Sequence, residues 1–94
     1  METPPPTATA MRVVETLRQR DGTATFVELA GRQRVTVFNI AWGQDFGDPE
    51  FHITTNISPA PIAPHAIDTF NTGEVRRIVD PETTAVLFEA PPVV

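Results

Sequence analysis

Between residues 10 and 20 the apolar positions recur at helical spacing. Met11, Val14 and Leu17 fall three apart, Arg18 and Arg20 occupy the final turn, and Gly22 stands just beyond. Cations suit the negative end of a helix and glycine suits its left-handed exit, so the spacing predicts a helix over 10–20. A strand running into an Asp21-Gly22 hairpin turn is the competing reading, but the adjacent Val13 and Val14 spoil the alternation it needs. From Ala24 the period changes to two. "ATFVEL" and "RVTVFNIAW" are rich in β-branched and aromatic residues, and "AGRQ" between them supplies Gly31 for a turn, which predicts a hairpin. On its second strand Val35, Val37 and Ala41 share one face, while Phe38, Ile40 and Trp42 share the other. A strand apolar on both faces calls for cover on both sides.

The next strand, "FHITTNIS", is two-sided in a different way. Phe51, Ile53, Thr55 and Ile57 form an apolar row, whereas His52, Thr54, Asn56 and Ser58 form a polar one. "PAPIAPH" has three prolines in seven residues and reads as an extended connection over the surface. "AIDTFNT" is ambiguous. "EVRRIV" and "AVLFEA" then flank "DPETT", where Pro81 suits the second position of a turn opened by Asp80, and a second hairpin follows. These elements predict an α+β fold, with an N-terminal helix packed on an antiparallel sheet of four to five strands. Residues 1–9, three prolines among Thr and Ala, have no apolar pattern to dock and read as a disordered arm; residues 10–90 form a single domain and 91–94 a tail.

Size sharpens this picture. An ordered body of about 75 to 80 residues gives a marginal core. With no cysteine in the chain, disulfides and thiolate metal sites are excluded. Together with the two-sided strand, this leads to the expectation of a homo-oligomer, a dimer or higher. No apolar run approaches the ~20 residues that span a bilayer, so the expectation is a soluble, cytoplasmic protein without membrane association.

Charge points to partners. The net charge is −5, and from residue 35 to residue 75 there are five acids and no Lys or Arg. Nucleic acids require clustered cations, which this chain lacks; a basic protein segment or a cation fits better.

The candidate chemistry is concentrated in "DFGDPEFHITTN", residues 45–56. The pattern of a calcium loop is missing, and His52 with Glu50 supplies only two ligands for a transition metal, so neither a metal nor a cofactor is expected. His52 beside Glu50 or Asp48 has the ingredients of an acid-base pair. No activated Ser or Cys nucleophile accompanies it, and no catalytic residue is assigned. The simplest reading of residues 45–50 is a solvated turn, with Gly47 and Pro49 fixing its backbone. That reading leaves the row His52, Thr54 and Asn56 unexplained, together with Asn39 and Trp42 on the preceding strand, a set that suits recognition of a small molecule or peptide.

"VFNIAWGQDFGDPEFHITTNISP" followed by "VRRIVDPETTAVLFE" resembles small bacterial proteins carried in mobile integron gene cassettes, over about half of the chain. The resemblance implies a bacterial accessory protein that oligomerises, and it carries over no activity and no site residue. The expected function is therefore a non-catalytic oligomeric binding module. Asp45, Asp48, Glu50, His52, Thr54, Asn56, Asn39 and Trp42 would hold a basic protein segment or a small ligand. The alternative is a small enzyme with His52 and a nearby carboxylate as acid-base pair.

Overall fold

The computed structural model describes residues 4–31, 33–57 and 66–91. The proline-rich connection, His65 and the end of the tail lie outside the described residues. Helix α1 (Ala8–Gln19) buries Ala10, Val13, Val14 and Leu17, a stripe with the i, i+3, i+4, i+7 spacing of a core-facing helix. Met11 belongs to the outer side and is exposed, so the apolar stripe is rotated from the one the Met11, Val14, Leu17 spacing suggests.

The helix begins two residues earlier than its apolar spacing indicates because Thr7 caps it. The Thr7 hydroxyl accepts from the Ala10 N–H at 2.9 Å, satisfying one of the donors left orphaned at a helix start. The Thr7 N–H donates to the Pro49 carbonyl at 3.0 Å, and Gln44 Nε2 donates to the Pro4 carbonyl at 2.7 Å. Residues 4–9 are thus docked, which corrects the reading of 1–9 as a disordered arm as far as Pro4. A segment without apolar pattern is held here by a cap and by backbone bonds rather than by burial. Thr7→Ala is expected to remove about 1 kcal/mol of stability and to lower the melting temperature by about 4 to 8 °C. An unchanged transition in thermal denaturation would mean that the cap contributes nothing.

The strands form two antiparallel sheets. The first has β1 (Thr25–Leu29), β2 (Arg34–Val37), β6 (Val75–Val79) and β7 (Val86–Glu89) in the order β2-β1-β6-β7. It joins the two sequence-evident hairpins through β1 and β6, with Val27 opposite Ile78. The second has β3 (Ile40–Gln44), β4 (Phe51–Thr55) and β5 (Thr69–Asn71) in the order β3-β4-β5. The fold is α+β, one N-terminal helix with antiparallel strands. Among the described residues there are seven of them in two sheets rather than four or five in one, because "RVTVFNIAW" is two strands and the ambiguous "TFN" is a third.

The break in "RVTVFNIAW" decides the packing. In β2 the odd positions Val35 and Val37 are buried. In β3 it is the even positions that face inward, since Ile40 lies opposite buried Thr55 and Trp42 opposite buried Ile53. Two residues between the strands shift the alternation by one, and a one-residue shift moves a whole row of side chains to the other face. Both apolar rows therefore turn toward one core, in which Val13, Val14 and Leu17 of α1 meet Val27, Val35, Val37, Ile78 and Phe88 of the first sheet and Ile53 and Phe70 of the second. The two-sided strand is accounted for within the chain and no longer calls for a second subunit.

Asn56 holds the corner. It is buried, with a φ of 57° in the left-handed region that Asn tolerates better than most residues. Its Oδ1 accepts from the Phe38 N–H at 2.8 Å, and its Nδ2 donates to the carbonyls of Thr36 at 3.0 Å and Ala66 at 2.8 Å. Its own N–H donates to the Asn39 carbonyl at 2.7 Å. The left-handed residue also ends the alternation of β4, so that Ile57 is exposed instead of continuing the apolar row.

The outer face of the first sheet carries charge. Arg77 makes two hydrogen bonds to Glu28, at 2.9 and 3.2 Å, which raises the guanidinium pKa further above its usual value, and Arg34 stacks over the Phe26 ring at 4.2 Å. Between the pairs Glu28–Arg77 and Leu29–Val75 the register slips by one residue, which makes Arg76 the extra residue of a β-bulge.

Candidate functional site

The turn between β3 and β4 gives the acids of the cluster different partners. The Asp48 N–H donates to the Asp45 carbonyl at 3.0 Å, Gly47 takes a φ of 84°, and the Glu50 N–H donates to Asp48 Oδ1 at 2.9 Å. Gln44 Nε2 closes the turn on the Asp48 carbonyl at 2.7 Å. Asp48 is thereby a turn-forming residue, in the manner of an Asx turn.

Asp45 lies on the open side, where its Oδ1 is 3.3 Å from His52 Nδ1. Glu50 takes a different direction: its Oε1 accepts from the Thr72 hydroxyl at 2.6 Å and its Oε2 from the Thr7 hydroxyl at 3.3 Å. The carboxylate partner of His52 is Asp45, not the Glu50 or Asp48 that sequence proximity suggested. Proximity along the chain misleads here because the turn folds Asp45 back across the hairpin.

His52 stands between Gly43 on β3 and Asn71 on β5, and Thr54 stands between Ala41 and Thr69. These six positions share the outer face of the second sheet. Gly43 makes room for the imidazole, since a methyl group there would lie 3.1 Å from His52 Nε2. The remaining residues of the sequence-derived set lie elsewhere. Trp42, opposite Ile53, is on the inner face at the rim of the sheet; Asn39 and Asn56 form the corner described above. The sequence reading missed Thr69 and Asn71 because β5 has only three residues in an ambiguous stretch. Asn71 also caps the following 3₁₀ turn (Thr72–Glu74): its Oδ1 accepts from the Gly73 N–H while the Glu74 carboxylate accepts from the Asn71 N–H.

The Asp45 and His52 side chains are 71 % and 46 % exposed. Among the described residues, cavities of about 110 to 550 Å³ indent the surface elsewhere, and neither residue lines these. An exposed pair of this kind adds little stability. Its chemical capacity is that of a recognition surface, with a carboxylate, an imidazole, two hydroxyls and an amide presented to solvent. Among the described residues no three His, Asp or Glu side chains gather where they could hold a metal ion, and no helix is long and apolar enough to cross a membrane.

No protein-family model, curated protein or solved structure matches this chain, and nothing in these comparisons bears on the likeness to cassette-borne proteins.

Proposed function

We propose that the protein is a non-catalytic binding module that holds a basic, extended protein segment against the outer face of the second sheet and its acidic turn. The observation that carries this reading is the placement of the Asp45–His52 pair on an open strand face rather than in a closed site. Acid-base chemistry gains from a water-excluding enclosure that tunes the pKa of its groups, whereas recognition of a chain segment needs accessible width. Charge supports the same choice. All three strands of the second sheet fall within the stretch from residue 35 to residue 75 that has five acids and no Lys or Arg. The cations Arg34, Arg76 and Arg77 belong to the first sheet. A basic segment would thus meet strands that contribute no cation of their own and be steered to them at low salt. The resemblance to cassette-borne bacterial proteins implies an accessory protein and assigns it no activity.

The test is an NMR titration of the isotope-labelled chain with a hexa-arginine peptide at low ionic strength. Amide shifts are expected at Asp45, His52, Thr54 and Thr69, and Asp45→Asn should weaken them. Shifts confined to other surfaces, or none at millimolar peptide, would sink the proposal.

A further inference from the structure

We propose that the cavity between the start of α1, the 3₁₀ turn and β6 is a binding site for a small amino acid, a zwitterion with an ammonium and a carboxylate on one short carbon chain. The site rests on residues other than the Asp45–His52 pair. It has a volume of about 300 Å³, with Glu50, Arg76, Thr7 and Thr72 as polar lining and Val75 and Ala90 as apolar lining. That is the low end of the range for small-molecule sites.

Two opposite charges line this cavity without meeting. Arg76 is the bulge residue of β6, and bulges re-aim side chains. One guanidinium nitrogen donates to the Gly73 carbonyl at 3.1 Å, while its Nε is buried and has no hydrogen-bond partner. Among the described residues no carboxylate lies within ion-pair distance of Arg76 and no cation within ion-pair distance of Glu50. The Glu50 carboxylate is held by the hydroxyls of Thr72 and Thr7, each of which contacts one oxygen and leaves further lone pairs. Gly73 separates the two charges: the Glu50 carboxyl carbon lies 3.7 Å from where a Gly73 side chain would start, and Arg76 is bonded to the Gly73 carbonyl.

Half-buried charges are normally paired, and a buried orphan donor calls for an explanation. A ligand with a carboxylate for Arg76 and an ammonium for Glu50 completes both at once through charge-assisted hydrogen bonds. A simple anion would satisfy Arg76 while adding negative charge beside Glu50, and a simple cation would do the reverse. Complementarity therefore selects a zwitterion over either half.

The experiment is calorimetry and NMR on the full chain with alanine, β-alanine and 4-aminobutyrate, which differ in the spacing of their charges, and with acetate and ethylamine as single-charge controls. At least one amino acid should bind about tenfold more tightly than both controls and move the Arg76 Nε–H signal together with the Thr72 and Gly73 amides. Arg76→Gln and Glu50→Gln should each weaken that binding about tenfold. The inference is overturned if acetate binds as well as every amino acid, if none shifts Arg76 Nε–H in the wild-type chain, or if Arg76→Gln binds undiminished. The wild-type Arg76 signal decides the matter even where a variant fails to fold. Because the peptide titration reads the outer face of the second sheet and this one reads Arg76, either can fail without the other.

Discussion

Asn56→Ala is expected to destabilise the protein by about 3 to 5 kcal/mol, a loss of the size reserved for special mechanisms. Three such mechanisms coincide at this residue. Truncation strands the partly buried Phe38 N–H and Thr36 carbonyl and removes the bond to the Ala66 carbonyl, all of which the Asn56 amide now satisfies. A stranded buried group costs about 1 to 3 kcal/mol. Alanine also tolerates the left-handed φ of 57° less well than asparagine does. Finally, the corner sets the alternation by which β2 and β3 present opposite parities to one core, so its loosening is felt by Val37 and Ile40 on either side. Three variants separate these contributions. Asn56→Gly relieves the backbone and loses the bonds. Asn56→Asp keeps an acceptor for Phe38 and loses both donors. Asn56→Ala loses everything. Urea unfolding should rank Ala as most damaging, and a midpoint for Asn56→Ala close to wild type would show that the corner is held by packing alone.

Phe88→Ala is expected to cost about 3 to 5 kcal/mol, and Trp42→Ala only about 1 kcal/mol. Residue type alone suggests the reverse order, since tryptophan is the larger side chain. Phe88 lies in β7 opposite Ile78, is buried against the helix side of the first sheet, and has the Arg12 guanidinium 5.3 Å from its ring centre. Its removal opens a cavity in the core. Trp42 is on the inner face of its sheet, yet it is 43 % exposed because β3 is an edge strand and the core ends at its rim. Trp42 therefore adds less to packing than its size suggests. Chemical denaturation of both variants checks the order, and the intrinsic fluorescence of the native protein should lie near that of solvated indole. A strongly blue-shifted emission, or equal losses for the two variants, would contradict the placement of Trp42.

The parts of the fold that depend on neighbours in sequence were legible. Val14 and Leu17 at helical spacing marked α1; the Asp80-Pro81 turn marked the β6–β7 hairpin, where Asp80 Oδ1 accepts from the N–H groups of Glu82 and Thr83. These backbone bonds, that to Glu82 foremost, hold the Asp80 pKa below its usual value. The cation-free stretch was legible too, and it contains all three strands of the second sheet. Of the candidate site, the row His52 and Thr54 could be read from period-two alternation, and both side chains share one face.

What tertiary structure decided is whatever turns on a shift of one residue or on a partner far along the chain. Alternation cannot reveal that "RVTVFNIAW" changes parity after Val37, because the side chain that stabilises the change comes from Asn56, 18 residues away from Phe38. The same distance hides the docking of residues 4–9: Thr7 finds Glu50 and Pro49 only once the β3–β4 turn is folded. It also gives Glu50 and His52, two residues apart in sequence, different partners, while Asp45 and His52 are brought within 3.3 Å. Sequence pattern fixes which residues prefer burial and which backbone segments prefer helix or strand. Register, parity and the partner of each charge are set by hydrogen bonds between distant segments, and those exist only after the chain has closed on itself.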